Sequence, residues 1–372
     1  MRNIRFYNDE ECMWHSATTQ YAGILPVGKW VQPASNGGLA ESPESKRRFK
    51  NLIEISSLNE KIPFYKGVSI DEGDLLRIHT QAYIDRFKQM SDAGGGELGP
   101  IGDATPIGPG SFEIAKISAG LATAAIKDVW LGRVDAAYAL SRPPGHHALP
   151  DQALGFCLLA NIPIGIEYCR THHNLGKVLI LDWDVHHGNG AQEIYYEDED
   201  TYTISIHQEN CYPVGYRGDD ERGKGAGKGY NLNIPLPAGA GHNAYLYVFD
   251  SIVIPEIKKY KPDIIIVASG FDANILDPLA RMNLYSESYH SMMDKVLKVA
   301  DEVCNGKVAV IHEGGYSESY VPFCGIAVLE ALLGEKSDVI DPILEYCKKK
   351  QPSDTVEIFL RQYIDKIRIM LK

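Results

Sequence analysis

The chain has 372 residues, 44% of them hydrophobic, a length that suits one large α/β domain better than several small ones. Its 37 basic and 49 acidic side chains leave a net charge of −12. This charge opposes tight nonspecific binding to nucleic acid or to an anionic membrane surface, and it favours a cationic substrate or peptide.

Seven scattered cysteines without a CxxC pair fit a reducing compartment better than a disulfide framework. The N-terminus carries no apolar stretch of signal-peptide length, and the chain contains no run of about 18 apolar residues. We therefore expect a soluble and cytoplasmic protein.

Short apolar runs of β-forming residues alternate with segments of helical period. The predicted strands are Ala136–Leu140, Lys177–Leu181, Tyr202–Ile206, Ile264–Ala268 and Lys307–Ile311. The predicted helices are Phe112–Leu131, Ile162–Cys169, Asn243–Tyr260 and Ser288–Val303. This alternation indicates an α/β fold with a central, mostly parallel sheet and helices on both faces. Because neither a repeat nor a low-complexity linker interrupts it, residues 1–372 are predicted to form a single domain.

Three loop-rich stretches separate these elements: Gly28 to Pro43, residues 94–110 and residues 215–230. Loops of this length in a compact domain usually carry function. The closely spaced glycines at 223, 225, 227 and 229 do not indicate a phosphate-binding loop, because they neither follow a clear strand nor end in Lys-Ser or Lys-Thr.

The segment LILDWDVHHGNG, residues 179–190, places acidic and imidazole groups directly after a predicted strand. Asp182, Asp184 and His186 fall at alternate positions, so they point to one side if the extended conformation persists. Buried carboxylates require a compensating cation, and no Lys or Arg lies near them in the sequence. Asp and His are ordinary ligands of zinc or manganese, so we expect a metal site rather than two helix-capping aspartates.

Asp272 lies just beyond another predicted strand, in PDIIIVASGFDAN. Alone, it is equally consistent with a helix N-cap. Together with Asp184 and His186 it gives two carboxylates and one imidazole, a three-ligand set that leaves a coordination position open. Such a set is typical of a catalytic rather than a structural metal.

Two adjacent imidazoles, His146 and His147, follow the strand that is predicted to end at Leu140, after a Pro-Pro-Gly turn. Consecutive histidines cannot easily bind one zinc ion together, but they can approach one water from two directions and exchange its protons. The alternative is an exposed loop pair, which is how we interpret His172 and His173.

The segment HEGGYSESY follows the last predicted strand. Gly314 and Gly315 permit a sharp turn that brings Tyr316 to the same edge of the sheet. A phenol at this edge can donate a hydrogen bond to a carbonyl oxygen as negative charge develops there. The alternative is a tyrosine packed at a helix start.

With these four segments in order, the chain resembles the arginase/deacetylase superfamily and, within it, the class II histone deacetylases and bacterial histone deacetylase-like amidohydrolases. The resemblance runs from about Ser42 to Leu333 and is carried by RPPGHH, GFC, LDWDVHHGNG, TISIH, SGFDAN, DPLARM and EGGY. It implies the arginase/deacetylase fold with long active-site loops. It also implies a zinc-dependent hydrolase that removes acetyl or related short acyl groups from lysine side chains or similar amines.

The resemblance also assigns roles to individual residues. It implies that zinc is held by Asp184, His186 and Asp272. It implies that the catalytic groups are His146 and His147, held by Asp182 and Asn189, together with Tyr316. It implies that the substrate is bound by Gly155, Phe156, Tyr212, Leu279 and Gly314. In the family a potassium ion commonly lies beside the zinc, which here implicates Asp182, Asp184, His186, Ser205 and Ile206.

The chain departs from the family pattern at Tyr212, where phenylalanine is usual, and the added hydroxyl bears on the acyl preference. At Tyr316 the chain keeps the residue of the active deacetylases rather than the histidine of some vertebrate class II members.

Three other functions are weighed against lysine deacetylation. An acetylpolyamine deacetylase suits the acidic composition, but polyamine-selective relatives carry an acidic residue after an Asp-Pro pair, whereas Leu279 follows Asp277 and Pro278 here. Glu97 can supply the missing charge. A manganese ureohydrolase needs more carboxylate ligands, and an acyl-lysine reader without turnover does not need the filled catalytic positions.

The expected partner is an acetylated lysine peptide or an acetylated small amine, and we expect neither nucleic acid nor membrane binding. The long surface loops leave room for a homo-oligomer.

Overall fold

Eight parallel strands form the central sheet of the computed structural model, which describes residues 2–22, 24–28, 30–34 and 40–371. The predicted loop from Gly28 to Pro43 therefore lies partly outside the described residues. In chain order the strands are β1 (Ile4–Tyr7), β2 (Gln20–Tyr21), β3 (Leu25–Pro26), β4 (Phe64–Tyr65), β5 (Gly96–Glu97), β6 (Pro106–Ile107), β7 (Ala136–Ala139), β8 (Val178–Asp182), β9 (Thr201–Gln208), β10 (Asn231–Leu236), β11 (Ile264–Ser269) and β12 (Val308–His312).

Helices fill most of the connections between these strands. They are α1 (Glu44–Ile55), α2 (Glu72–Leu75), α3 (Gln81–Asp92), α4 (Ser111–Trp130), α5 (Asn161–His173), α6 (Asn189–Tyr195), α7 (His242–Val248), α8 (Ile254–Tyr260), α9 (Ser286–Cys304), α10 (Val321–Leu333), α11 (Leu344–Lys349) and α12 (Asp354–Met370). Among the described residues, no helix is both long and apolar enough to cross a membrane.

The strand order across the sheet is β10-β9-β8-β11-β12-β7-β1-β4, and each neighbouring pair is parallel. Strands β2 and β3, and strands β5 and β6, form two separate antiparallel ribbons. The predicted α/β fold with a mostly parallel sheet is therefore confirmed.

Side chains of the central strands are buried on both faces of the sheet. On β8, Val178 and Ile180 pack with residues of α4 and α5, whereas Leu179 and Leu181 pack with residues of α7, α8 and α9. Burial on both faces explains why this strand is a continuous apolar run in the sequence rather than an alternating one.

Three strands of the sheet, β1, β4 and β10, are absent from the sequence prediction. Strand β10 contains Pro235, which argues against a strand, but β10 lies at the edge of the sheet, where proline is tolerated. The predicted helix Asn243–Tyr260 is interrupted by a π-helical turn, Phe249–Val253. His172 and His173 end α5 rather than lying between elements, and His173 is half-buried.

The strand order places a topological switch point at the centre of the sheet. The chain goes from β8 outward to β9 and β10 on one side, whereas β11 and β12 lie on the other. Open parallel sheets bind their ligands at the carboxyl ends of the strands beside such a point. The adjacent strands β8, β11, β12 and β7 therefore bring the four chemistry-bearing segments to one crevice.

Candidate active site

Asp184, His186 and Asp272 meet at the switch point, where all three are buried beyond the ends of β8 and β11. His186 Nδ1 lies 3.2 Å from Asp184 Oδ1 and 3.1 Å from Asp272 Oδ2. Adjacent ligand atoms of a tetrahedral zinc site, with bonds of about 2.0–2.2 Å, are separated by about 3.3 Å. The spacing of these three atoms therefore fits one zinc ion.

Main-chain hydrogen bonds orient both carboxylates. The Gly314 N–H donates to Asp184 Oδ2 at 2.8 Å, and the Val185 N–H donates to Asp272 Oδ1 at 2.8 Å. Burial, together with repulsion from Asp184, raises the pKa of Asp272. Within the described part of the chain neither carboxylate pairs with Lys or Arg, and the basic groups near them are the imidazoles of His146 and His186.

Gly314 lies directly behind these carboxylates. A Cβ atom there would lie 2.2 Å from Asp272 Oδ2 and 2.6 Å from Asp184 Oδ2. Any side chain at this position would displace the carboxylates, so Gly314 supports the cluster of Asp184, His186 and Asp272 through its main chain.

His146 and His147 lie beside this cluster, and the centroids of their two rings are 3.9 Å apart. His146 Nδ1 lies 3.0 Å from Asp182 Oδ2, and His147 Nδ1 lies 2.7 Å from Asn189 Oδ1. Because an amide oxygen only accepts, His147 carries its proton on Nδ1 when it is neutral, which leaves Nε2 as an acceptor.

The two imidazoles have opposite electrostatic environments. Burial and repulsion from His146 and His186 hold the pKa of His147 well below its usual value. Burial also disfavours charge on His146, but attraction from Asp184 and Asp182 outweighs it and raises that pKa to about 10. The surroundings therefore favour charge on His146 and disfavour it on His147.

Glu313, which the sequence analysis did not single out, contacts the main chain of the histidine segment. Its Oε2 accepts hydrogen bonds from Gly145 N–H at 2.7 Å and His146 N–H at 3.1 Å. The carboxyl is fully buried, and this burial raises its pKa to about 7. The sequence did contain a signal for Glu313: it is an acidic residue directly after a buried strand, and Asp182 likewise stands at the end of one.

Tyr316 lies on the opposite side of the cluster, at the end of the segment after β12. Its main-chain N–H donates to Asp277 Oδ2 at 2.9 Å, and its ring centroid lies 6.2 Å from that of His186. The phenol is thus held beside His186, one of the three residues that could hold a metal ion.

A cavity of about 260 Å³ opens onto these groups. Its most buried lining residues are His147, His186 and Tyr316, and its walls include Gly155, Phe156 and Tyr212. The more exposed end is lined by Gly102, Asp103, Ala104 and Leu279, whereas the half-buried Cys211 lines the cavity next to His186. Four of the five predicted substrate-binding residues line this cavity, whereas Gly314 lies behind the carboxylates.

The acidic group at the cavity mouth is Asp103 rather than Glu97. Glu97 Oε1 instead accepts hydrogen bonds from the Thr105 N–H at 2.5 Å and the Thr105 hydroxyl at 2.8 Å. Asp103 lies in a glycine-rich loop with no chemical pattern around it, so its position at the mouth could not be predicted from the sequence.

The residues implied for potassium include Asp184 and His186, and the others lie next to them. Asp182 pairs with Ser205 in the β8–β9 register, and Ile206 follows on the same strand. The buried main-chain oxygens of Asp184 and His186 accept no main-chain hydrogen bond from the described residues. Buried carbonyl oxygens of this kind suit a cation that prefers oxygen ligands.

The sequence and the fold both match known proteins. Residues 41–332 match the histone deacetylase domain family. The chain is 50% identical to the histone deacetylase-like amidohydrolase of Pseudomonas aeruginosa over 98% of this chain and 95% of that protein. It is 37% identical to a probable deacetylase of Archaeoglobus fulgidus over 74% of this chain and 76% of that one.

A solved structure agrees with these sequence matches. The crystal structure of the HDA15 HD domain superposes with a TM-score of 0.82 and 29% identity, covering 99% of this chain and 94% of that one. The resemblance that the sequence motifs indicated is therefore confirmed. The chain belongs to the histone deacetylase family, within the arginase/deacetylase superfamily, and its deacetylase relatives indicate that it is a hydrolytic deacetylase.

Proposed function

We propose that the chain is a zinc-dependent amidohydrolase that removes acetyl or related short acyl groups from lysine side chains or similar amines. One observation carries the proposal: the buried group Asp184, His186 and Asp272 could hold a metal ion, and it lies beside two further imidazoles and a phenol. His147, His186 and Tyr316 line a single cavity. Each group that amide hydrolysis requires is then within reach of one acyl carbon.

Asp184, His186 and Asp272 would hold the zinc ion. When bound, zinc supplies polarisation of the scissile carbonyl and lowers the pKa of a bound water toward neutrality. The main-chain hydrogen bonds from Gly314 and Val185 keep the two carboxylates aimed at the ion.

His147 would act as the general base and then as the general acid. Its depressed pKa keeps the imidazole neutral, and Asn189 leaves Nε2 free to accept the proton of the attacking water. The same nitrogen would then protonate the departing amine. His146, held by Asp182, would stabilise the developing negative charge electrostatically.

Tyr316 would donate its hydroxyl proton in a hydrogen bond to the carbonyl oxygen as negative charge develops there. One such donor typically contributes about 3 kcal/mol to transition-state stabilisation. Potassium, held by Asp182, Asp184, His186, Ser205 and Ile206, would be structural and would brace the loop that carries the zinc ligands.

Acetylpolyamine deacetylation is the second candidate function. The carboxylate of Asp103 at the mouth and the net charge of −12 favour a cationic amine. The apolar Leu279 at the same mouth favours peptide or other acyl-amide substrates instead.

A substrate panel tests both functions. The zinc-loaded chain is assayed with an acetylated fluorogenic lysine peptide, acetylspermidine and acetylputrescine, beside the His147→Ala variant. We expect the peptide to be preferred, and we expect His147→Ala to keep its zinc and lose turnover by about 10²- to 10⁴-fold. Near-normal turnover of His147→Ala would contradict the mechanism, and His172→Ala, an exposed imidazole on α5, is the matched control.

A further inference from the structure

Residues 102–104, which we call the rim strap, cross the mouth of the cavity and contact two of its walls. On one side the Phe156 N–H donates to Ala104 O at 3.2 Å. On the other side the Tyr212 hydroxyl donates to Asp103 Oδ1 at 2.6 Å. The rim strap therefore ties the Phe156 wall to the Tyr212 wall.

The base of the rim strap is held by its own hairpin. The Gly99 N–H donates to Thr105 Oγ1 at 2.7 Å, and the Leu98 N–H donates to Thr105 O at 3.1 Å. Among the described residues, the Asp103–Tyr212 hydrogen bond is the one hydrogen bond between this hairpin, residues 94–110, and the segment 209–217. A single side-chain hydrogen bond therefore joins the Tyr212 wall to the hairpin, while the main chain of Tyr212 is held separately by the His187 N–H, which donates to Tyr212 O at 3.1 Å.

The ring of Tyr212 extends from this contact down to the catalytic groups. It packs edge to face against His147 with centroids 4.8 Å apart, and its Cε1 lies 2.8 Å from where a Cβ of Gly155 would be. Burial and the hydrogen bond to Asp103 raise the pKa of the phenol, so it stays a neutral donor. The hydroxyl thus contacts the rim strap, whereas the ring faces His147 and Gly155.

We propose that the Asp103–Tyr212 hydrogen bond makes Tyr212 a specificity-determining residue, because it locks this wall of the cavity and restricts the acyl group to small sizes. The inference rests on the proposed amide hydrolysis. A hydrogen bond to a charged acceptor is roughly twice as strong as a neutral one, so it can hold the ring against the pressure of a larger acyl chain. A phenylalanine here would fill the same space without the lock.

The test compares acyl selectivity in variants that keep or break the bond. For Tyr212→Phe we expect the kcat/KM for a butyryl-lysine peptide, relative to the acetyl-lysine peptide, to rise about three- to tenfold. Asp103→Ala should raise this ratio by a similar factor. Asp103→Asn keeps an acceptor oxygen but loses its charge, so its ratio should lie between those of wild type and Asp103→Ala.

A double-variant cycle tests whether the two substitutions act through the hydrogen bond or independently of each other. If the bond sets selectivity, Tyr212→Phe combined with Asp103→Ala should change the ratio no more than either variant alone. Multiplicative effects of the two substitutions, or an unchanged ratio in Tyr212→Phe, would overturn the proposal. Tyr247→Phe is the matched control, because Tyr247 donates to Asp365 at 2.8 Å on a helix outside the cavity.

A second measurement does not require turnover. Hydrogen exchange of the main-chain amides of residues 99–105 should be faster in Tyr212→Phe than in wild type, and unchanged in Tyr247→Phe. Equal exchange in wild type and Tyr212→Phe would show that the bond does not hold the rim strap. A zinc-loaded wild type without activity on the acetyl-lysine peptide would instead refute the proposed function, so the two failures are distinguishable.

Discussion

The closed end of the cavity and its mouth are built by different means. At the closed end, main-chain hydrogen bonds from Gly314 and Val185 hold the carboxylates of Asp184 and Asp272, and Glu313 holds the main chain of the histidine segment. At the mouth, one side-chain hydrogen bond joins Asp103 to Tyr212. The chemistry thus depends on the sheet, whereas the shape of the entrance depends on two loops.

This difference teaches how the protein can separate reaction from selectivity. Groups fixed by parallel strands and main-chain hydrogen bonds cannot shift without disturbing the buried core. Loop residues can change with little effect on that core. We therefore expect substitutions at the closed end to lower turnover steeply, and substitutions at the mouth to redistribute activity among substrates.

The largest expected effect is loss of the metal. Asp272→Asn removes a ligand charge, so we expect substoichiometric zinc and turnover lower by about 10³-fold or more. Chelation should inactivate the wild type, and added zinc should restore it. Zinc content by elemental analysis is the measurement, with the surface variant Asp365→Asn as the control. Full zinc occupancy and normal turnover in Asp272→Asn would contradict the assigned ligand set.

The next effect is loss of the oxyanion donor. Tyr316→Phe keeps the ring beside His186 but removes the hydroxyl, so we expect kcat to fall by about 10²- to 10³-fold with zinc retained. Steady-state kinetics with the acetyl-lysine peptide measure it. Tyr346→Phe, an exposed tyrosine, should behave as wild type. A change in KM alone would assign Tyr316 to substrate binding instead.

A smaller effect is expected at Glu313, which acts through the main chain. Glu313→Met removes the acceptor of the Gly145 and His146 N–H groups, and a displaced dyad should lower kcat by about 10- to 100-fold with KM nearly unchanged. Glu313→Gln keeps an acceptor oxygen and should recover most of the activity. Equal losses in both variants would mean that the charge, not the hydrogen bonds, matters.

The smallest effect is expected at the mouth. Leu279→Glu adds a charge beside Asp103, and an exposed ion pair with a polyamine contributes about 0.2–1 kcal/mol. The kcat/KM for acetylspermidine relative to the acetyl-lysine peptide should therefore rise about two- to fivefold, as a competition assay would measure. Leu279→Met should leave the ratio unchanged. A lower ratio in Leu279→Glu would exclude a cationic group at this position.

The central strands were predictable because their burial is visible in the sequence. Strand β8 was predicted at Lys177–Leu181 and is observed at Val178–Asp182, since a run buried on both faces is apolar at each position. Strand β10 was missed because Asn231, Asn233 and Pro235 interrupt its apolar pattern. Its edge position, which tolerates these residues, is a property of the assembled sheet.

The sequence by itself determined the residue types of the candidate active site and their place at the ends of strands. Asp182, Asp184 and His186 alternate after one apolar strand, and Asp272 and Tyr316 follow two others, because parallel strands deliver their carboxyl ends to one edge. Those patterns are local, with periods set by the backbone.

Only the tertiary structure decided which distant side chains touch. Asp103 and Tyr212 are far apart in the chain, yet their side chains meet at the mouth, and Glu313 reaches the main chain of Gly145 from another strand. Such contacts depend on how loops and strands pack in space. The periodicity of a helix or a strand cannot predict these contacts, because they join segments that only the assembled sheet brings together.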